Sequence, residues 1–409
     1  MNILMTGIDH NLAPVEVRER FSFTTNQKAE LMQQVMSYPN YDGCILLGTC
    51  NRTELWVSYQ DDEPGDLPAL LIGSKGLDPA AYREYFTVRS DLEAVRYLFE
   101  VTSGLKSRII GEDQILAQVK SALTESRDAG CCCGVLDVLF RSAVTAAKKV
   151  KTELAISTAN ASAVELALAQ MVESGMDFRG KHCLVIGNGE MGKRTATALL
   201  TQGANVTVTI RQYRSGQVQV VPGCERINYG DRYSLIPDCD VVVSATSSPN
   251  TTITMEELSK CDLKEGVVFI DLAVPRDIEP EIRTLTGVTL YDIDHFTVVE
   301  TDELKLELAQ ARTMLAEQEN RFINWYECRD LLPRLDDLAA YFGSEVTGRL
   351  GGALNSMSLE AGSRAELSDA LEDTCGKVFK KLIFAVRDQA GIDLFRACID
   401  AMEGVGRIG

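Results

Sequence analysis

The sequence predicts an α/β multidomain chain: an N-terminal α+β catalytic domain, a central Rossmann-like doubly wound parallel sheet, and a long connecting helix leading into a C-terminal helical dimerisation domain. Three observations carry this. A buried strand, Lys181 to Ile186, runs straight into Gly187-Asn188-Gly189-Glu190-Met191-Gly192 and a helix. Strand-like runs at Asn205 to Ile210, Asp240 to Ala245, Val267 to Ala273 and Val288 to Asp292 then alternate with other segments, the pattern of a parallel sheet. Finally, neither Gly nor Pro occurs between Val288 and Leu332, so one helix of about 35 residues is expected from Phe296 onward, roughly 50 Å long at its rise per residue. The expected domains are 1–155, 156–295 and 296–409.

At the N-terminus, a short strand (Ile3 to Ile8) and a turn at Asn11 to Pro14 precede one helix carrying Val15, Val17 and Phe21 and continuing through Leu31, Met32 and Val35. The apolar run Cys44 to Leu47 reads as a buried strand that ends at Gly48. A polar loop, Thr49 to Thr53, separates it from an alternating strand, Glu54 to Tyr59. Helical periodicity fills Asp91 to Val172, and Gly175 to Gly180 marks a boundary. Beyond Pro333, helices are expected at Leu335 to Phe342 and Glu366 to Gln389, interrupted by the glycines of Gly348 to Gly352. Such helices seldom bury their apolar faces alone, so a homodimer is expected through them.

With 409 residues, 45% hydrophobic and 24% charged, the chain falls among ordinary globular proteins. The net charge of −18 argues against a general polyanion binder such as a DNA-binding protein. The first residues lack a secretory signal and no apolar run approaches the roughly 20 residues that cross a bilayer. A cytoplasmic protein without membrane association is expected, its 12 cysteines reduced. Only three histidines occur, His10, His182 and His295, and Cys131-Cys132-Cys133 has no C-x-x-C partner, so no metal is expected. Lys148, Lys149 and Lys151 suit phosphate contact and a solvated helix face equally well.

The glycine spacing alone is a weak signal; its position between strand and helix makes it a dinucleotide site, with the tight turn, the close approach of pyrophosphate and the helix packing each requiring one glycine. An NAD site would place an acid at the end of the second strand, about 20 residues on. Here Ile210-Arg211-Gln212 stands there, with Arg214 beyond, which favours NADPH. Cys50 follows a strand end, two residues before the guanidinium of Arg52, a setting that favours the thiolate. The loop's Thr49, Asn51 and Thr53 offer hydrogen bonds to a polar substrate. A thiol and a reduced nicotinamide on one chain suit reduction of an activated acyl group through a thioester, or the reverse oxidation of an aldehyde.

Five blocks carry a family resemblance: Gly7-Ile8-Asp9-His10-Asn11-Leu12-Ala13-Pro14-Val15-Glu16-Val17-Arg18-Glu19, Gly48-Thr49-Cys50-Asn51-Arg52-Thr53-Glu54, Gly111 to Lys120, Gly187 to Gly192, and Ile270-Asp271-Leu272-Ala273-Val274-Pro275-Arg276-Asp277. In order and spacing they resemble the motifs of glutamyl-tRNA reductases. The resemblance implies NADPH-dependent reduction of glutamyl-tRNA to glutamate-1-semialdehyde, the first step of tetrapyrrole biosynthesis, in a homodimer that hands its aldehyde to a downstream aminomutase. It assigns Cys50 as nucleophile. Thr49, Arg52, Ser107, Glu112, Gln114 and Gln118 would bind substrate, Arg52 taking the side-chain carboxylate. Gly187, Asn188, Gly189, Glu190, Met191, Gly192, Arg211, Ser244, Ala245 and Thr246 would hold NADPH.

The chain departs from the family pattern at three places. Tyr97 replaces a histidine in a catalytic segment, and a phenol does not titrate near pH 7. Gly104-Leu105-Lys106-Ser107-Arg108 replaces an acid and an apolar residue with two bases, and Ile210-Arg211-Gln212 replaces Asn-Arg-Thr. Two alternatives therefore stand beside the glutamyl-tRNA reading: a divergent paralogue reducing another aminoacyl or acyl substrate, and a non-catalytic binder of tRNA or tetrapyrrole.

Overall fold

The computed structural model describes residues 1–60, 64–108, 110–111, 114–154, 163–211, 220–246, 248, 250–296, 302–357 and 361–406. The chain forms two compact units, Met1–Glu319 and Asn320–Gly409. The first contains both sheets, and the second is helical.

The N-terminal sheet has four antiparallel strands, β1 (Ile3–Asp9), β2 (Tyr41–Gly48), β3 (Arg52–Tyr59) and β4 (Thr87–Ser90), in the order β2-β3-β1-β4. Strand β3 is central and buried along its whole length. Because successive side chains alternate, Leu55 and Val57 join Leu4, Ile8, Phe21 and Leu46 in one core, while Arg52, Glu54 and Trp56 point to the opposite face. There the Trp56 ring stacks on Tyr97 from the helix Asp91–Thr102 and meets Phe140 from the helix Gly134–Glu153 edge-on. The sheet thus carries a buried polar row on the side its helices cover.

The second sheet has six parallel strands, β5 (His182–Ile186), β6 (Asn205–Ile210), β7 (Glu225–Asn228), β8 (Val241–Ser244), β9 (Val267–Asp271) and β10 (Val288–Asp292), in the order β10-β9-β8-β5-β6-β7. This is the doubly wound arrangement expected, with the strand order reversing beside β5. Apolar clusters cover both faces, one built around Val185, Val243 and Ile270, the other around Leu184, Val242 and Phe269. Short and polar, β7 sits at the sheet edge with mostly exposed residues, so no apolar run announces it.

Three helix boundaries differ from the expectations. The N-terminal helix is divided: Val15–Arg18 and a 3₁₀ turn Glu19–Phe21 end before Thr24, which caps a new helix, Thr25–Met36, in a reciprocal capping box with Gln27. The long helix spans Asp302–Cys328 and stops at Arg329; Leu331 N–H turns back to Cys328 O, and Pro333 opens the next helix, Leu332–Ser356, where its missing N–H costs nothing. That helix runs unbroken through Gly348, Gly351 and Gly352, whose loss of about 1 kcal/mol each relative to alanine lowers helix stability without ending it. The helices Ala361–Ala390 and Ile392–Gly406 complete the second unit, closed around Leu331, Leu335, Ile383, Phe395 and Ile399. Among the described residues no helix is long and apolar enough to cross a membrane, and no group of three His, Cys, Asp or Glu side chains is placed to hold a metal ion.

Candidate active site

Cys50 sits in the tight connection between β2 and β3, half-buried. Thr49 shapes this turn. Its N–H donates to Arg52 O at 2.8 Å, and its hydroxyl oxygen accepts the Asn51 and Arg52 amides, both at 3.1 Å. From outside the loop, His10 N–H donates to Asn51 O, and the Arg18 guanidinium donates from Nη1 to Cys50 O and to Asn51 Oδ1, each at 3.2 Å. The backbone of the loop is therefore fixed from both sides. Thr53, expected among its polar contacts, belongs to β3 and donates its hydroxyl inward to Phe21 O at 2.9 Å. Elsewhere burial pushes thiols up, that of Cys132 to about 11 and those of Cys183 and Cys239 to about 12, which holds them in the protonated form.

Behind the loop lies a closed polar cluster. Arg52, 2% exposed, donates from Nη1 to Glu54 Oε1 at 3.0 Å and to Tyr97 Oη at 2.8 Å, and from Nη2 to Lys106 O. Tyr97 donates its hydroxyl to Glu54 Oε1 at 2.8 Å, and Trp56 Nε1 donates to Glu54 Oε2 at 3.2 Å. The carboxylate of Glu54 thus accepts three donors in a space where an unpaired charge would be costly. Burial, with the Glu54 charge beside it, raises Tyr97 well above the ordinary phenol range, so its hydroxyl remains a donor throughout the working pH range. The Arg89 guanidinium lies 4.0 Å from the centre of the Tyr97 ring.

The structure brings Cys50, Thr49, Arg52 and Tyr97 together, and the Arg52–Lys106 bond draws the segment carrying Ser107 to the same place. Ser107 is half-buried, its N–H closing a turn onto Gly104 O at 3.2 Å. Gln114 and Gln118 lie one turn apart near the start of the helix Gln114–Asp128, which packs on β2 through the Ser126 hydroxyl and Cys44 O. Glu112 lies outside the described residues.

The glycine fingerprint is spatially enforced. Gly187 has φ +111°, and an added Cβ would stand 2.7 Å from Ala245 O; at Gly192 it would stand 2.0 Å from Gly187 O. At Gly189 a Cβ would meet nothing within 4 Å, leaving open space where a phosphate can approach. Gly189 is also the N-cap of the helix Glu190–Thr201 and, as a glycine, contributes no side-chain cap to it. Asn188 precedes this cap and Met191 lies in the first helical turn. Across the strand reversal, Ala245 N–H donates to Ile186 O, while Asp277 gathers Ser244 Oγ (2.7 Å), Thr246 Oγ1 (2.7 Å) and Thr246 N–H (2.9 Å). Ser244 is accordingly fully buried. At the end of β6, exposed Arg211 places its guanidinium 4.9 Å from the Tyr229 ring centre; Gln212 and Arg214 lie outside the described residues.

Sequence reasoning assigned no individual role to Arg18, Glu54 and Asp277, although each lies within a quoted motif block. Asp294 had no signal at all, because its role depends on packing between β10 and residues 15–18 and 108.

Residues 6–154 match the glutamyl-tRNA(Glu) reductase N-terminal domain, and residues 167–299 match the shikimate/quinate 5-dehydrogenase family. The glutamyl-tRNA reductase of Acetivibrio thermocellus is 38% identical over 81% of this chain and 99% of its own length, and that of Alkaliphilus oremlandii is 40% identical over 76% and 91%. The structure of the Methanopyrus kandleri glutamyl-tRNA reductase covers 98% of each chain at 26% identity, with a TM-score of 0.45. With a half-buried cysteine turn in the first matched segment, a strand–glycine–helix unit in the second, and relatives of 38–40% identity aligned across both, the chain belongs to the glutamyl-tRNA reductase family.

Proposed function

We propose that this protein is an NADPH-dependent glutamyl-tRNA reductase forming glutamate-1-semialdehyde, the first step of tetrapyrrole biosynthesis. The observation that carries this is the Cys50 turn, a half-buried thiol on a backbone fixed by Thr49, His10 and Arg18, in the same compact unit as an intact glycine cradle. The Cys50 thiolate attacks the ester carbonyl, the C–O bond to the terminal ribose breaks, and the ribose oxygen leaves as a hydroxyl, taking its proton from water. A glutamyl thioester remains on Cys50. When bound, NADPH would supply a hydride, that is two electrons and one proton, to the thioester carbon, and Cys50 would leave that carbon as thiolate as the C–S bond breaks.

The residues of the second sheet fit that cofactor. Gly187, Asn188, Gly189, Glu190, Met191 and Gly192 would surround the pyrophosphate, Arg211 the 2′-phosphate, and Ser244, Ala245 and Thr246 the nicotinamide side of the crevice. Thr49, Arg52, Ser107, Glu112, Gln114 and Gln118 would form the glutamyl pocket. Since Arg52 already serves Glu54, Tyr97 and Lys106 O, its part in that pocket uses the donor capacity left among the five N–H groups of the guanidinium. Tyr97 holds Arg52 and Glu54 in register.

Residues 1–155, 156–295 and 296–409 would act as catalytic, cofactor and dimerisation domains. Exposed Tyr341, Phe342, Leu350, Val378, Leu382 and Leu394 on the C-terminal helices support a homodimer. A cytoplasmic setting suits the reduced thiols, and the reactive aldehyde suits direct use by an aminomutase.

The test is intact-mass analysis after incubation with charged glutamyl-tRNA and no NADPH. The expected result is one added glutamyl group on Cys50, released on adding NADPH and absent in Cys50→Ser. A wild-type protein that is neither acylated nor consumes NADPH would overturn the proposal.

A further inference from the structure

The Cys50 turn is tied to the cofactor-binding part of the fold through one carboxylate. Asp294 follows β10, and its Oδ1 accepts Arg18 Nη2 at 2.5 Å and Arg108 Nη1 at 2.7 Å, while Oδ2 accepts the Val15 amide at 3.0 Å. Arg108 also donates from Nε to Phe296 O at 2.9 Å and from Nη2 to Asp294 O. The other end of the Arg18 guanidinium holds Cys50 O and Asn51 Oδ1. A continuous line of charge-assisted bonds therefore runs from the nucleophile's own carbonyl to the segment leaving the parallel sheet. It is sheltered: the side chains of Arg18, Arg108 and Asp294 are 2%, 12% and 25% exposed.

The two chemical steps place different demands on this link. Acylation of Cys50 needs only the N-terminal sheet and the incoming ester. Hydride delivery requires the thioester carbon and the dihydronicotinamide, carried by different sheets, to come within about 3.5 Å in one orientation, where an error of about 1 Å costs roughly a hundredfold. All three guanidinium nitrogens of Arg108 donate to residues just beyond β10, Nε to Phe296 O, Nη1 to Asp294 Oδ1 and Nη2 to Asp294 O. We propose that Arg18, Asp294 and Arg108 form a positioning bridge that aligns the Cys50 acyl group for hydride delivery, with Arg108 reinforcing the Arg18–Asp294 pair.

This rests on the reductase reading above, so the experiment separates the two. In the full-length protein, Arg108→Met and Asp294→Asn are compared with wild type for Cys50 acylation by glutamyl-tRNA without NADPH, for NADPH oxidation by the pre-acylated protein, and for amide hydrogen exchange at 49–52. Arg108→Met leaves the Arg18–Asp294 pair in place and so preserves folding. The expected result is NADPH oxidation slowed about tenfold in Arg108→Met and more in Asp294→Asn, acylation within twofold of wild type, and faster exchange at 49–52 in Asp294→Asn. Equal losses in both steps, or none in either, would overturn the bridge. If wild type is not acylated, the reductase reading fails, and exchange decides alone: unchanged protection at 49–52 in Asp294→Asn overturns the link, and lost protection sustains it.

Discussion

Tyr97 donates its hydroxyl to Glu54 across 2.8 Å, on the side of the N-terminal sheet that its helices cover, and accepts from Arg52 at the same distance. A phenol here is both donor and acceptor, whereas a neutral imidazole would offer either function at only one nitrogen. Tyr97→Phe keeps the stacking on Trp56 and the Arg89 contact but removes one of Glu54's three donors. The expected cost is about 1–3 kcal/mol in chemical denaturation. A loss below about 0.5 kcal/mol would show that the hydroxyl contributes no net stability to the cluster.

The ordered parts of this architecture were legible where a local rule coincided with a tertiary one. The strand–glycine–helix unit at 182–201 follows from periodicity and from glycines that have no alternative, and β6 and β10 were bounded by their apolar content. The Cys50 turn was legible because a strand ended in a polar, Arg-bearing loop. What was not legible depended on distance in sequence. Arg18 and Asp294 meet across 276 residues; Arg18 lies within a motif block but nothing local shows its partner, and nothing local marks Asp294. Arg52 reads locally as a loop cation beside a thiol; only the alternation of β3 turns it onto the same face as Glu54 and Trp56. The long helix ended early because the turn at Arg329–Leu331 is set by packing of Cys328 and Leu331 into the C-terminal core, which composition does not display.

The glycine cradle separates binding from folding. Gly192→Ala drives a Cβ into Gly187 O, a backbone atom that cannot swing aside, and should destabilise the protein by about 1–3 kcal/mol. Gly189→Ala meets open space, so its melting temperature should remain near wild type while NADPH affinity falls at least tenfold. Calorimetry and cofactor titration of both variants check this. Equal melting losses would show that both glycines are structural.

Arg211 stands exposed at the end of β6, beside the Tyr229 ring. Its guanidinium suits a 2′-phosphate, which NADH lacks. Arg211→Ala should weaken NADPH at least tenfold and NADH less than twofold in equilibrium titration. Equal losses would remove this residue from cofactor discrimination.

His10 supplies a pH signature. Burial first, and then the positive charge of Arg52, lowers its imidazole from 6.5 to about 4, and its Nδ1 is buried without a hydrogen-bond partner among the described residues. Between those two values the unfolded chain binds a proton that the folded chain refuses. The neutral ring's contribution is therefore complete above about pH 6.5 and is lost as pH falls toward 4, by at most about 1.4 kcal/mol per unit. Carboxylates titrate in part of the same window, so the informative quantity is the difference between wild type and His10→Gln. The variant should show a shallower fall in unfolding free energy from pH 6.5 to 4.5, measured by urea denaturation at constant ionic strength. Parallel curves would mean that His10 takes up its proton in the folded protein, by letting water or a shifted Asp9 reach the buried nitrogen.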